Sequence, residues 1–478
     1  MNKISWILIC LCWGYGDTLL AQESNYWTQQ YGARSSLLGG AVIHGVEDNS
    51  AVYYNPAALA FIKQSTISLN TSVYKYEDIF IRNGGGENID LQSQRISLHQ
   101  NMTSGLLTKD PSKKYRFGFN IITRSHANYD FTMQYESVKE IIATQDGEEF
   151  YIGRIELQTN VSETWACLGG GYKINEYLSL GATAIIAYRN QRHHMLFSGK
   201  ALNTPDSTQS SLFMATNSAD FNFRTNIVSA LFKFGLHART GGWRFGLNIT
   251  TPSVPLWGQG RVQREEIQTN LPGNRDQIKA DQQSYLKSEY RYPFTIGLGV
   301  AFNYSNQGMV SFASEYYSRI GAYQFIAANT SDPTFPNFLS GGVEGFLSVY
   351  QAANQVLNFG FGWEHSITKK IKLHLGVRTD FTSAVPRQEI GELTPVSAAL
   401  DIYHFSCGLS FRRKASKFSL GLNYSYANKK VSQLLNLSDP VIDTQERLFL
   451  FGVRENNAAI YAHGVTAMIG YTYYFALK

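Results

Sequence analysis

Apolar and polar positions alternate with a period of two over much of this chain. At 242 to 250, Trp243, Phe245, Leu247 and Ile249 share one face while Arg244, Gly246, Asn248 and Thr250 share the other. The alternation runs again through 294 to 303, where Phe294, Ile296, Leu298, Val300 and Phe302 oppose Thr295, Gly297, Gly299, Ala301 and Asn303. It returns at 371 to 378, 403 to 412, 418 to 425 and 465 to 475. Successive side chains point to opposite sides in an extended chain, so these segments read as β-strands with two unlike faces.

The period does not say which face turns inward. Three features favour a transmembrane antiparallel β-barrel over a soluble sandwich. Large aromatics bunch near strand ends, as at Tyr290, Tyr292 and Tyr304 or at Tyr424 and Tyr426, where interfacial girdles are expected. The opposing face is rich in glycine and small polar residues, which suits a lumen. The strands run about 9 to 12 residues or more, enough to cross a bilayer at a tilt.

Short polar breaks fall near Pro111 to Lys114, Lys173 to Glu176, Arg239 to Gly242, Tyr304 to Gly308, Ser366 to Lys370 and Arg413 to Ser416. Between them lie seven long connections, at 81 to 92, 136 to 149, 190 to 220, 253 to 288, 319 to 354, 382 to 400 and 430 to 460. Six tight turns and seven long loops predict about fourteen strands. Both chain ends then lie on the short-turn, periplasmic side. The third, fifth and sixth long intervals have room for further hairpins.

Composition agrees. Aromatics make up 14% of the 478 residues and charged residues only 17%, too aromatic for a disordered chain and too polar for a helical membrane protein. The net charge of +5 is spread along the chain rather than gathered into a basic face, which argues against nucleic acid. Lys3, the apolar run Ile4 to Trp13 and Leu19-Leu20-Ala21 before Gln22 read as a signal peptide over 1–21. Cys10 and Cys12 lie in that leader. Cys167 and Cys407 remain, and the sequence leaves open whether they pair.

Residues 22–64 break the barrel pattern. They hold the small-residue run Leu38-Gly39-Gly40-Ala41 and then Asp48-Asn49-Ser50-Ala51-Val52-Tyr53-Tyr54-Asn55-Pro56-Ala57-Ala58-Leu59. Pro56 lacks a donor and keeps Asn55 out of the helical region, so the chain turns here. The segment resembles the N-terminal hatch of the FadL/TodX family of outer-membrane transport proteins for fatty acids and hydrocarbons, with a complete match at Asn55, Pro56 and Ala57. Trp243 to Pro252, and Tyr292-Pro293-Phe294 leading into Leu298-Gly299-Val300-Ala301, also resemble family strands.

The resemblance implies a monomeric outer-membrane barrel over 65–478 whose lumen is plugged by a hatch over 22–64. It also implies passive transport of hydrophobic compounds, with long-chain fatty acids as the default substrate and aromatic hydrocarbons beside them. Capture would occur in a groove between outer loops and release sideways into the bilayer, through an opening where the third strand kinks. The partners implied are the small hydrophobic ligand, outer-membrane lipid and the barrel-assembly machinery, whose C-terminal aromatic signal Tyr471 to Phe475 resembles. A burial gain of about 0.8 kcal/mol per methylene makes a water-filled pore a poor route for such a ligand.

Outward Tyr115, Phe117, Phe119 and Ile121 set the register of the third strand. Arg116, Gly118, Asn120, Ile122 and Arg124 then face the lumen, and the pattern weakens at Ser125 to Asn128, where a kink is expected. Arg124, Arg189, Arg244 and Arg378 are lumenal candidates for a ligand carboxylate. The plainer alternative pairs them with lumenal acids such as Glu315, Glu364 and Asp380. Leu256 and Trp257, with Phe335, Phe338, Leu339 and Phe346, are candidates for a loop groove. His193 and His194, expected in the third long loop, point apart on an extended chain and do not share a metal.

Gly84-Gly85-Gly86 and Gly169-Gly170-Gly171 lack the context of phosphate loops. No spacing marks a catalytic constellation, metal site or cofactor, so no enzymatic activity is expected. Two alternatives to transport stand: a PorV-type barrel serving as a structural partner in protein secretion, and a diffusion porin, against which the hatch argues.

Overall fold

The computed structural model describes residues 24–46, 48–62, 66–108, 110, 112–142, 147–203, 213–273, 276–329, 346–385, 399–443 and 448–475. The expected leader and the loop residues Phe335, Phe338 and Leu339 lie outside them. In chain order the helical elements are α1 (Ala33–Leu37), α2 (Ala51–Tyr54) and a 3-10 turn (Pro56–Phe61). The strands are β1 (Thr66–Arg82), β2 (Leu91–Leu106), β3 (Tyr115–Lys139), β4 (Glu149–Lys173), β5 (Leu178–Asn203), β6 (Met214–Thr240) and β7 (Trp243–Thr250). Then come β8 (Val254–Thr269), β9 (Gln277–Lys287), β10 (Thr295–Ser305), β11 (Gly308–Tyr317), β12 (Ile320–Ile326), β13 (Val349–Ala353) and β14 (Val356–Ser366). The last are β15 (Ile371–Asp380), β16 (Ile402–Arg413), β17 (Ser416–Val431), β18 (Ile442–Asp443), β19 (Leu448–Phe449) and β20 (Ala458–Tyr474).

Fourteen of these close an antiparallel ring: β1 to β7, β10, β11, β14 to β17 and β20, with β20 pairing back onto β1. Closure gives every ring strand a partner on both sides over at least part of its length, as a bilayer core requires because lipid cannot satisfy a free backbone N–H or C=O. The aromatic faces turn outward. Phe117, Leu168, Phe234, Phe245, Leu298, Phe361 and Phe405 are all exposed on the outside of the cylinder, a continuous apolar surface that a water-soluble sandwich would bury. All six tight turns fall where the sequence places them. Thr66 pairs with Tyr474 at the same end as the Arg413–Ser416 turn, so the barrel begins and ends on the short-turn side.

The loop boundaries differ from expectation on one side of the barrel. β3, β4, β5 and β6 run 25, 25, 26 and 27 residues, and most of 190 to 220 is strand. His193 and His194 therefore sit on β5, His193 turned inward and buried, His194 outward beside Asp220. Of the long intervals, the fourth holds the hairpin β8–β9, whose first strand pairs with the upper half of β6, and the fifth holds the small pair β12–β13. Above the apolar band the interior of this tall wall is itself apolar, with Ile155, Leu157, Phe197, Phe221 and Phe223 buried. Cys167 faces the lumen and Cys407 the outside, and both are free thiols.

Candidate functional site in the lumen

The N-terminal segment fills the barrel, and glycines of the wall make room for it. A Cβ on Gly171 would lie 2.7 Å from the Pro56 carbonyl oxygen, and one on Gly181 or Gly246 would strike the backbone of Pro56–Ala57 or of Ile43. The glycine-rich inner face is thus a seat for the hatch backbone. Asn55 explains the Asn-Pro-Ala motif. Its amide donates to the Ile43 and Leu236 carbonyls at 3.0 and 2.9 Å, while its side-chain oxygen accepts the Ala57 N–H at 3.1 Å. One side chain therefore caps the 3-10 turn that Pro56 begins and ties it both to the hatch and to β6. The His237 ring donates from Nδ1 to the His44 carbonyl at 2.7 Å. Burial, and after it the charges of Arg34 and Arg244, push the His44 imidazole well below its ordinary pKa, so it stays neutral.

The three acids expected in the lumen all serve this seat. Glu364 takes Arg34 of the hatch at 2.7 Å and Lys372 at 2.7 Å. Glu315 accepts from the Trp27 indole at 2.8 Å and from the Tyr317 hydroxyl at 2.6 Å. Asp380 accepts from the Trp27 N–H at 2.7 Å and from Thr28 Oγ1 at 2.8 Å. Glu364→Gln is expected to remove the carboxylate charge that Arg34 and Lys372 share and to lower stability in detergent by about 3–5 kcal/mol. An unfolding midpoint equal to that of the parent protein would remove the pair from the account of hatch seating.

Above the hatch, aromatic rings and two guanidinium groups pack into one buried cluster. The register of β3 on β4 slips between Thr123 and Ser125, and this bulge turns Arg124 and Ser125 inward together, both buried. The Arg124 guanidinium lies 5.5 Å from the Trp165 ring, and its Nε has no hydrogen-bond partner. The Trp165 indole donates to Glu163 at 2.6 Å, and the other Glu163 oxygen takes Arg189 at 2.7 Å. Arg189 lies 3.9 Å over Tyr290. Tyr292 packs edge-on against Trp165 at 5.5 Å, and Tyr53 of the hatch closes the floor at 6.1 Å from Trp165.

The wall beside this cluster is incomplete. β2 and β3 pair only from Met102↔Ile122 to Leu106↔Gly118, although both strands continue well above. Beyond the bulge the seam is crossed by side chains. Thr123 Oγ1 donates to the Gln100 carbonyl at 2.9 Å, Arg95 donates to His126 Nε2 at 3.1 Å, and the Asp130 N–H donates to Ser93 Oγ at 3.1 Å. Ile96 and Leu98 on the outer lip are 72% and 70% exposed, which leaves an apolar sill facing outward. The bulge falls one residue before the stretch where the fading pattern places a kink.

Of the residues singled out in sequence, Arg124 and Arg189 both join the aromatic cluster, Arg189 with Glu163 rather than with any of the expected acids. Arg378 is committed to the hatch, donating to the Trp27 and Thr28 carbonyls at 3.0 Å each and to Asn423 at 3.2 Å. Arg244 lies near the hatch, close enough for its charge to act on His44. Leu256 and Trp257 sit on strand β8 rather than in a loop, and are 56% and 52% exposed. Tyr290 and Tyr292 are not girdle residues, since they pack inward against buried clusters. Trp165 and Glu163, which organise the cluster, carry no motif; only their inward register on β4 marks them.

No protein-family model matches the sequence. No curated protein matches it either. Solved structures do match the fold. The toluene transporter TodX of Pseudomonas putida aligns over 93% of this chain and 98% of its own at 13% identity, with a TM-score of 0.56. The toluene transporter TbuX of Ralstonia pickettii aligns over 93% and 98% at 13% identity and 0.55. A FadL homologue of Pseudomonas aeruginosa aligns over 96% and 100% at 13% identity and 0.55. The protein is therefore a hatch-plugged, fourteen-stranded β-barrel. Its fold is that of the TodX and FadL-type proteins, which supports the resemblance carried by the hatch motif over the whole length of the barrel.

Proposed function

We propose that the protein carries hydrophobic compounds passively across the outer membrane, and that it releases them sideways through the seam between β2 and β3. The observation that carries this reading is the end of backbone pairing at Met102↔Ile122, beside a buried aromatic cluster and above a seated hatch. The hatch blocks the axial path to the periplasm, whereas the seam opens beside the apolar sill of Ile96 and Leu98. A ligand leaving that way keeps most of its apolar surface out of water, worth about 25 cal/mol for each Å². A long-chain fatty acid is the proposed substrate. Its tail suits the aromatic cluster, and the unpartnered Nε of Arg124 supports that residue as the one to receive the carboxylate.

Uptake of labelled oleate by cells with and without the gene tests the function. Equal uptake combined with a secretion defect would favour the export-partner role instead. The route has its own test. In a Cys407→Ser background, Arg95→Cys and His126→Cys are joined by a cleavable thiol cross-linker across the seam that their parent side chains bridge. Uptake is expected to stop on cross-linking and to return on cleavage. Undiminished uptake through a stitched seam would rule out the lateral path.

A further inference from the structure

Above the apolar band, the outward face of the tall wall carries three arginines in one cross-strand row. Arg192 on β5 lies directly opposite Arg224 on β6, and Arg224 lies directly opposite Arg261 on β8. All three are exposed. At about 4.8 Å between strands the guanidinium groups span roughly 10 Å. Like charges placed directly opposite each other on a sheet destabilise it unless something neutralises them. Within the chain almost nothing does. Among the described residues no carboxylate pairs with any of the three, and Arg261 donates only to the Gln282 amide oxygen at 2.7 Å.

The acids of this face stand farther out. Asp220, two same-face steps beyond Arg224, is held by His194 at 3.2 Å, and Glu265 lies opposite Asp220. On the membrane side the next row is uncharged on the three strands, Asn190, Asn226 and Gln259, and β9 adds a fourth cation there, Lys287 opposite Gln259. The row below that is Tyr188, Val228 and Trp257, where the polar outer face gives way to the apolar one. Trp257 and Tyr188 are therefore the aromatic border of the lipid band on this wall.

Four residues separate each arginine from that border. At ~3.3 Å per residue and a tilt near 40° the arginines stand about 10 Å above it. The headgroup layer fills roughly the first 5–8 Å, within reach of guanidinium groups bent toward the membrane. We propose that Arg192, Arg224 and Arg261 form a binding site for the phosphate groups of outer-leaflet lipid headgroups. Planar guanidiniums pair bidentately with phosphate, and each cation near an anionic membrane surface contributes to attachment. The tethered phosphate, rather than the free ion, is the occupant because the row stands just above the headgroup layer and its guanidinium groups reach down into it.

This inference rests on the outer face meeting lipid, which heat-modifiable migration of the folded barrel reports separately. The test uses the purified full chain in detergent and three probes: lipid A, its dephosphorylated form and inorganic phosphate. The triple variant R192Q/R224Q/R261Q is expected to bind lipid A about 100-fold more weakly than the parent chain. The dephosphorylated lipid should bind both chains alike. Without lipid, the triple variant is expected to unfold at the same temperature as the parent or higher, because the repulsion is gone. R224Q alone, which breaks the centre of the row, should give an intermediate loss. Equal lipid A binding by parent and triple variant would overturn the site. So would inorganic phosphate binding as tightly as lipid A, which would make the row a free-ion site.

Discussion

Gly246→Leu is expected to turn a sealed barrel into a conducting one. A side chain at this position would strike the carbonyl of Ile43, and the facing Gly299 already lies against Ile43 and His44 from the neighbouring strand. A rigid ladder on both sides leaves the wall no room to yield, so the hatch must leave its seat. Planar-bilayer recordings should then pass from no resolved steps in the parent protein to steady single-channel currents in the variant. Gly321→Leu is the control, since a Cβ there meets nothing within 4 Å. A closed Gly246→Leu barrel that keeps its heat-modifiable migration would mean that the glycines are not the seat of the hatch.

Arg124→Met should separate charged from neutral cargo. Methionine keeps an unbranched apolar stem but loses the guanidinium, and a hydrogen bond to a charged partner contributes about 1.5–3 kcal/mol. Oleate uptake is therefore expected to fall by roughly 10- to 150-fold, while uptake of a neutral aromatic hydrocarbon stays within about twofold. The distinction matters because the structural relatives include both toluene transporters and a FadL homologue. Equal loss for both cargoes would assign Arg124 to holding the bulge of β3 rather than to the ligand, and no loss for either would remove it from the path.

Much of the barrel is legible locally because each step follows from neighbouring residues. Alternation at 242 to 250 and 294 to 303 gives β7 and β10 their two faces, and polar breaks such as Arg413 to Ser416 mark the tight turns. The misreadings share one cause. On β6, Phe232 and Phe234 face outward within the lipid band, whereas Phe221 and Phe223 face inward above it. The apolar face changes sides at the membrane surface, since lipid outside is replaced by water and the lumen by a packed core. A pattern that reverses phase reads as a break. For this reason the upper strands were expected to be loops, with His193, His194, Leu256 and Trp257 in them.

The site divides in the same way. Asn55-Pro56-Ala57 is readable because proline and a capping asparagine act on the residues beside them. The roles of Glu163, Trp165 and Arg378 depend on partners far along the chain, such as Arg378 with Thr28, and no local pattern records such a meeting.

The sequence alone determined the lower parts of the strands, their tight turns and the barrel, because alternation and turn chemistry are properties of adjacent residues, and it marked residues 22–64 as a segment outside that pattern. Tertiary structure decided that the inner glycines cradle the hatch and that the lumenal acids hold it. It also decided that β2 and β3 part above Ile122 and that three arginines stand in one row. Each of these depends on which distant residues face one another once the cylinder closes, and closure sets that register for every strand together.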